Sequence, residues 1–231
     1  MTFLRSFAFA AAFWIWAVVM HLLGVVLVLG PRPVFMAMSR VWLGGVLWLA
    51  RHTAGITYEV RGEANMPDRP CIIAAKHQSA WDIFALSVLL DQPTFVLKKE
   101  LMHVPFFGWF LRRYGAVPVD RKAGASALRG MLRRAKAEMA RGRSVVIFPE
   151  GTRVPPGETR PYHPGVAGLY RELDVPLVPV TLNSGWFWGR RKFRKNPGTI
   201  VVEFRPAIPP GLSRREVMAR LSEALERDSR E

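Results

Sequence analysis

Long apolar runs occupy the first 50 residues of the chain, and the first of them predicts a membrane helix. Residues 6–30 contain no Lys, Arg, Asp or Glu. At a rise of about 1.5 Å per residue, a helix over this run is about 37 Å long, enough to cross a hydrocarbon core of about 30 Å with some tilt. A cleaved signal peptide is the alternative. The run is longer than a usual signal-peptide core and ends without a clear A-x-A site, which favours a retained segment.

A second apolar run, residues 34–50, carries Arg40 near its middle. A charge at the bilayer centre costs at least about 2.5–3.5 kcal/mol, which disfavours a second clean span. Two alternatives stay open for this run. It forms a re-entrant or interfacial helix with Trp42 and Trp48 at headgroup depth, or it packs as a helix on the globular part of the chain.

The clustering of basic residues after the first apolar run predicts how the chain is oriented. We expect residues 1–53 to form a membrane-associated helical segment. Residues 54–231 are then a globular domain, which lies on the cytoplasmic face of the cell inner membrane.

From residue 54 onward, short apolar runs of strand length alternate with helical patterns. The predicted strands cover residues 56–60, 71–75, 94–97, 116–119, 144–148, 177–182 and 199–204, and the predicted helices cover residues 80–90, 106–113, 125–141, 166–173 and 214–227. Ser213 and Glu216 have capping-box spacing at the start of the last helix, and Gly142 is placed to stop the third. This alternation predicts an α/β fold with a mixed, largely parallel sheet flanked by helices, and a site at the strand ends.

Composition narrows the class of partner. The 231 residues are 50% hydrophobic and include 33 Lys and Arg against 18 Asp and Glu, for a net charge of +15. An anionic partner is therefore expected: nucleic acid, a phospholipid surface or a phosphorylated small molecule. The single cysteine, Cys71, excludes a disulfide scaffold and a Cys-x-x-Cys zinc site. The Rossmann, P-loop, HExxH and GxSxG motifs do not occur in the sequence.

A polar turn after the predicted strand 71–75 holds residues suited to acid–base chemistry. Its sequence is Lys76-His77-Gln78-Ser79-Ala80-Trp81-Asp82. Capping-box spacing between Ser79 and Asp82 predicts that a helix begins at Ser79, with His77 on the turn. Because Cβ atoms tilt toward the helix N-terminus, Asp82 can hold one ring nitrogen of His77 and leave the other free to accept a proton. In the alternative, Asp82 only caps the helix and His77 is an ordinary strand-end histidine.

A second polar turn follows the predicted strand 144–148 and has the sequence Phe148-Pro149-Glu150-Gly151-Thr152-Arg153. Gly151 permits close backbone approach, and the guanidinium of Arg153 offers a fork of donors suited to phosphate. The carboxylate of Glu150 can accept hydrogen bonds from hydroxyl groups. Two such turns at strand ends favour a site over a pair of solvated surface turns.

Together the two turns resemble the HX4D and FPEGTR motifs of the 1-acylglycerol-3-phosphate acyltransferase family. Two weaker blocks agree in order and spacing: residues 98–121, which include Lys98 and Arg121, and residues 175–180. The resemblance covers about residues 70–182, and Lys76 departs from it where many members carry Asn.

The resemblance implies transfer of a fatty acyl chain from a thioester, acyl-ACP or acyl-CoA, to the sn-2 hydroxyl of 1-acylglycerol 3-phosphate, giving phosphatidic acid. His77 polarised by Asp82 is then the catalytic base. Glu150, Gly151, Thr152 and Arg153, with Lys98 and Arg121, are expected to bind the acceptor. The acyl thioester is a co-substrate, and neither a metal nor a redox cofactor is required. The expected partners are an anionic phospholipid membrane, the lysophospholipid acceptor and the acyl carrier protein or coenzyme A thioester.

Two alternatives to this substrate assignment remain. The basic and aromatic residues of segment 186–195 suit nucleic acid as well as an anionic leaflet, and the apolar N-terminus favours the lipid. Within the family, the acceptor is alternatively another lysolipid, such as a lyso-ornithine lipid, or glycerol 3-phosphate itself.

Overall fold

A seven-stranded sheet forms the centre of the computed structural model, which describes residues 1–120 and 124–226. The strands are β1 (Ile56–Arg61), β2 (Ile72–Ala75), β3 (Thr94–Lys98), β4 (Val117–Val119), β5 (Val145–Ile147), β6 (Leu177–Leu182) and β7 (Gly198–Phe204). Their order is β1-β7-β6-β2-β5-β3-β4. All neighbours are parallel except β6 and β7, which are antiparallel. The carboxyl ends of β2, β3, β4, β5 and β6 therefore lie along one edge.

Seven α-helices accompany the sheet in the described part of the chain. They are α1 (Thr2–Leu27), α2 (Arg32–Leu49), α3 (Trp81–Leu89), α4 (Phe107–Tyr114), α5 (Gly124–Met139), α6 (Gly165–Leu173) and α7 (Arg214–Glu226). A π-helical turn, Ala50–Ala54, extends α2, and 3-10 turns cover Glu63–Asn65, Lys99–His103 and Ser184–Trp186.

Each face of the sheet buries its own hydrophobic cluster. On one face α1, α2 and α3 pack against the strands, and Phe9, Val46 and Trp81 lie in the cluster. On the other face α5, α6 and α7 pack, with Met131, Leu169 and Leu221 in the cluster. The central strands β2 and β6 are buried along their whole length, as expected for strands covered on both faces.

The strand pattern read from the sequence is confirmed, because each of the seven predicted strands contains or overlaps an observed one. The capping box is also confirmed: the Ser213 N–H donates to Glu216 Oε2 at 3.0 Å, and the Glu216 N–H donates to Ser213 Oγ at 3.3 Å. Gly142 has φ +79°, in the left-handed region that glycine adopts without steric cost. The predicted last residue of the final helix, at position 227, lies outside the described residues.

The apolar N-terminal runs form two helices that are long and apolar enough to cross a membrane by length and composition, over Thr2–Leu27 and Arg32–Ala54. This finding indicates membrane association. In α1 the buried residues Phe9, Ala17, Met20 and Gly24 follow helical spacing, whereas the opposite side is exposed.

The second apolar run packs on the globular part, one of the two alternatives left open by its sequence. In α2, Phe35, Leu43 and Val46 are buried, and Arg40 forms an exposed ion pair with Asp91. Trp42 is half-buried and contacts Phe13 and Phe84, whereas Trp48 is exposed. The expected headgroup depth of the two indoles stays a prediction. The boundary at residues 53 and 54 stays a prediction; it falls in the π-helical turn, whose Ala50 and Ala54 share a cluster with strand residues.

Candidate active site

The imidazole of His77 and the carboxylate of Asp82 are paired at the carboxyl end of β2, with 2.9 Å between His77 Nδ1 and Asp82 Oδ2. Asp82 is fully buried, and the side chain of His77 is 12% exposed. The helix begins later than its sequence indicates: α3 starts at Trp81, whose N–H donates to Ser79 Oγ at 3.1 Å. His77 therefore lies on the turn, as expected, with one ring nitrogen held and the other available.

Asp82 accepts hydrogen bonds from four groups, and this fixes the tautomer of His77. Besides the imidazole, the N–H groups of Gln78 and Ser79 donate to Asp82 Oδ2 at 2.8 and 2.9 Å, and Ser184 Oγ donates to Asp82 Oδ1. A carboxylate only accepts, so His77 Nδ1 carries its hydrogen and Nε2 keeps a free lone pair. That arrangement equips Nε2 to take a proton.

The two polar turns hold each other in place. Glu150 Oε2 accepts from the His77 N–H at 2.8 Å, and the Val154 N–H donates to the His77 carbonyl at 2.7 Å. The ring of Phe148 stacks on the imidazole, with 4.0 Å between centroids. Gly151 turns the chain with φ +63°. The turn after β5 is therefore a support for the orientation of His77.

Glu150 takes a position that differs from the one expected from the sequence. Its side chain is buried and accepts a hydrogen bond from the backbone N–H of His77, and it does not line the cavity that opens at His77. Direct contact with acceptor hydroxyls is thus not what this geometry supports. Burial raises the pKa of the Glu150 carboxyl to about 7, although the His77 N–H and the ammonium of Lys76 oppose the rise.

Lys76, the departure from the family pattern, is tied to the end of α7. Its ammonium is buried and lies 3.1 Å from Glu226 Oε2. The hydroxyl of Tyr162 donates to the other oxygen of Glu226. The charge of Lys76 is therefore compensated, and α7 is fixed beside the turn that carries His77, the candidate catalytic turn.

A cavity of about 1130 Å³ opens at His77 and runs between the sheet and the helices. Apolar side chains form its wall on the side of α1–α4: Met20, Phe35, Trp42, Leu43, Phe84 and Phe110. The volume and lining suit a long hydrocarbon chain.

Cationic side chains surround the same cavity. They are Lys98, Arg153, Arg171, Arg190, Arg191 and Arg214. Among the described residues of the lining, Asp120 alone carries a carboxylate, and it lies 3.6 Å from the ammonium of Lys99. Burial lowers the pKa of Arg153, and the nearby charges of Arg190 and Arg191 lower it further, against an opposing effect of Asp82. Such a group of like charges is stabilised by an anion.

Most of the residues predicted for the site come together here. His77, Lys98, Gly151, Thr152 and Arg153 all line the cavity. Arg121 lies outside the described residues, so its role stays a prediction.

Sequence reasoning missed the contribution of the segment after β6. Ser184 orients Asp82, the Gly185 N–H donates to Gln78 Oε1 at 3.0 Å, and Arg190 and Arg191 line the cavity instead of only facing lipid. Lys195, from the same basic segment, is buried over the ring of Trp188. One sequence feature could have indicated this contribution: the segment directly follows a buried strand that is parallel to β2 and β5.

A paired histidine and aspartate, an apolar cavity and a cationic rim fit an enzyme that acts on anionic amphiphiles, and comparisons with known proteins show which family of enzymes the chain resembles. The family model described as Acyltransferase matches residues 57–183. A 1-acyl-sn-glycerol-3-phosphate acyltransferase of Pseudomonas aeruginosa is 36% identical over 199 residues, which cover 86% of this chain and 77% of the relative. A lyso-ornithine lipid O-acyltransferase of the same species is 33% identical over 136 residues, which cover 59% and 52%.

A solved structure shows the same fold. The crystal structure of the 1-acyl-sn-glycerophosphate acyltransferase PlsC from Thermotoga maritima matches with a TM-score of 0.77 at 22% identity, covering 98% of this chain and 95% of that chain. The chain belongs to the acyltransferase family, as the resemblance of its two motifs indicated.

Proposed function

We propose that the protein transfers an acyl chain from a thioester to the sn-2 hydroxyl of 1-acylglycerol 3-phosphate, giving phosphatidic acid for phospholipid synthesis. The observation that carries the proposal is the combination, in one cavity, of the His77–Asp82 pair with an apolar wall and a rim of arginines. The hydroxyl and phosphate of a phosphorylated lysolipid match the His77–Asp82 pair and the arginines, and the acyl chain that is transferred matches the apolar wall. The similarity to the Pseudomonas relative supports the same assignment.

In the proposed reaction, the acceptor hydroxyl attacks the carbonyl carbon of the thioester while His77 Nε2 removes its proton. The new ester C–O bond forms, the C–S bond breaks, and the proton passes from the imidazolium to the leaving thiolate. Asp82 stabilises the imidazolium and keeps its orientation. The substrate hydroxyl takes the place of a serine nucleophile, which accounts for a site built without the GxSxG motif.

The acceptor phosphate is assigned to Arg153, with Arg190, Arg191 and Lys98 in support. Arg190 Nη1 donates to the Arg153 carbonyl at 3.3 Å, so the two guanidinium groups belong to adjoining segments. Guanidinium groups bind phosphate in a bidentate manner, and several together match a doubly charged monoester.

The acyl thioester, from acyl carrier protein or coenzyme A, is a co-substrate, and the chemistry needs neither a metal nor a redox cofactor. The apolar wall of the cavity is assigned to an acyl chain. We place the protein on an anionic phospholipid membrane, with the catalytic domain on the cytoplasmic face of the inner membrane. The exposed apolar side of α1, which includes Phe7, Trp14 and Leu22, supports this placement.

Acyl transfer by the purified full chain to a panel of acceptors tests the assignment. We expect fast product formation with 1-acylglycerol 3-phosphate and slow formation with a lyso-ornithine lipid, which lacks the phosphate. Arg153→Ala is expected to raise the KM for the phosphorylated acceptor at least tenfold, because a hydrogen-bonded charge contributes about 1.5–3 kcal/mol. Arg194→Ala, an exposed arginine that does not line the cavity, is the matched control. Preference for lyso-ornithine lipid would contradict the proposal.

A further inference from the structure

The cavity continues past the catalytic turn onto the other face of the sheet. There it is lined by Leu128 and Met131 of α5 and by Gly168 of α6, and it reaches Arg171 and Arg214. This part, the α5–α6 groove, has an apolar floor and a cationic end. It is separate from the apolar wall that α1–α4 form.

The two arginines at the end of the groove come from adjoining helices. The hydroxyl of Tyr170 donates to the carbonyl of Pro209 and accepts from the Leu212 N–H at 3.0 Å. These bonds fix the segment before α7 against α6. Arg171 follows Tyr170 directly, and Arg214 lies two residues after Leu212. These bonds therefore hold the positions of the two arginines on adjoining helices, and both arginines line the cavity.

The distance from the catalytic turn to this end follows from the topology. Because β7 is antiparallel to β6, α7 begins at the edge opposite the site and returns to it, where Glu226 pairs with Lys76 next to His77. From Arg214 to Glu226 the helix rises about 18 Å. A phosphopantetheine arm has about 14 bonds between the thioester carbon and the phosphorus atom. When the arm is fully extended, these two atoms are about 16 Å apart.

The positive charge of Arg171 and Arg214 favours an anionic ligand at this end of the α5–α6 groove. Neither Arg171 nor Arg214 forms an ion pair with a residue that the structure describes. The acceptor phosphate is already assigned to Arg153 and its neighbours, so these two charges are available to a second anion.

We propose that the α5–α6 groove binds the phosphopantetheine arm of the acyl donor, with its phosphate at Arg171 and Arg214. This inference rests on the proposed function. The arm is common to acyl carrier protein and coenzyme A, so the groove serves either donor. The thioester then lies at His77, with the acyl chain along the apolar wall on the other side.

Binding of a non-reactive donor fragment tests the groove without relying on catalysis. The probes are an S-alkyl phosphopantetheine thioether and its dephosphorylated form, titrated calorimetrically into the full chain in detergent. We expect the wild-type protein to bind the phosphorylated probe about threefold to tenfold more tightly, as for partly exposed charge pairs. The double variant Arg171→Ala, Arg214→Ala should lose this preference, and each single variant should lose part of it. Arg215→Ala, an exposed neighbour outside the cavity, should keep it.

Steady-state kinetics then separate the two donors and the acceptor. In the double variant, the KM for acyl carrier protein and coenzyme A thioesters should both rise, and the KM for 1-acylglycerol 3-phosphate should not. A rise in KM confined to the coenzyme A donor would assign the two arginines to its nucleotide and overturn the inference. A rise in KM confined to the acceptor would overturn it as well. Equal binding of the two probes to the wild-type protein also overturns it. If the wild-type protein makes no phosphatidic acid, the proposed function fails while the probe titration still decides the groove.

Discussion

At the level of single residues, the buried carboxylate of Asp82 determines which ring nitrogen of His77 carries the hydrogen and which one can accept a proton. Four donors surround that carboxylate, two of them backbone N–H groups of the same turn. Local sequence was sufficient to predict the His77–Asp82 pair, because a turn followed by a helix start brings positions five apart together. Local sequence was not sufficient to predict the hydrogen bond from Ser184 to Asp82, because the two residues are 102 positions apart in sequence. Contacts of that separation depend on strand order, which no local pattern encodes.

Glu150 gives the stability of the protein a dependence on pH. Its folded-state pKa, about 7, lies above its ordinary value of 4.5, so the folded state binds the proton more tightly than the unfolded state. The resulting stabilisation is complete below about pH 4.5 and is lost as the pH rises through about 7. Glu150→Gln keeps an oxygen acceptor for the His77 N–H and removes the ionisation.

Thermal unfolding of the Glu150→Gln variant measures this effect. The Tm of the variant relative to wild type should rise by a few degrees between pH 5.5 and pH 8. Glu158→Gln, at an exposed position, is the control and should show no such trend. A difference in Tm that stays constant with pH for Glu150→Gln would contradict the assignment.

At the scale of elements, the pairing of α1 with α2 depends on a glycine. A Cβ at Gly45 would lie 2.6 Å from the indole of Trp16, whose Nε1 donates to the Trp42 carbonyl at 3.2 Å. A Cβ at Gly44 would meet no atom within 4 Å. The two glycines are consecutive in one helix and differ in this contact.

Alanine at each glycine tests the packing of the two helices. Gly45→Ala should destabilise the protein by about 1–3 kcal/mol, as overpacking does. Gly44→Ala should be neutral or stabilising, because alanine favours helix by up to about 1 kcal/mol over glycine. Equal Tm values for the two variants in detergent would show that the helices do not meet as described.

The elements also show where prediction from sequence stops. All seven strands follow from apolar runs between polar turns, since buried strands need such runs. The position of α2 did not follow, because an apolar run with one arginine suits a membrane interface and a protein surface equally. The ion pair of Arg40 with Asp91 and the burial of Phe35 show that α2 packs on the globular part, and its contact with a membrane interface stays a prediction.

At the scale of the whole molecule, the net charge of +15 is divided among sites. Arg153, Arg190 and Arg191 surround the cavity, and Lys76 and Lys195 are buried with partners. Only part of the charge is therefore available for the proposed binding to a membrane, and the exposed apolar side of α1 is expected to contribute more to lipid binding.

Co-sedimentation with anionic vesicles compares these two contributions. Trp14→Asp places a charge on the exposed side of α1 and should weaken binding strongly, because a charge in hydrocarbon costs at least about 2.5 kcal/mol. Arg215→Glu removes more positive charge at an exposed position of α7 and should weaken binding less. A larger loss of vesicle binding for Arg215→Glu than for Trp14→Asp would assign membrane binding to charge alone.

We propose that His77 acts as the base in acyl transfer, and the rate of the His77→Ala variant is the decisive measurement of this role. The measurement is the initial rate of phosphatidic acid formation from 1-acylglycerol 3-phosphate at saturating acyl thioester, with Tm showing that the variant is folded. His52→Ala, at an exposed position on the π-helical turn, is the control and should keep the wild-type rate. We expect a rate for His77→Ala at least about 100-fold below wild type, because a general base usually contributes at least this factor. A folded His77→Ala protein with a near wild-type rate would contradict it.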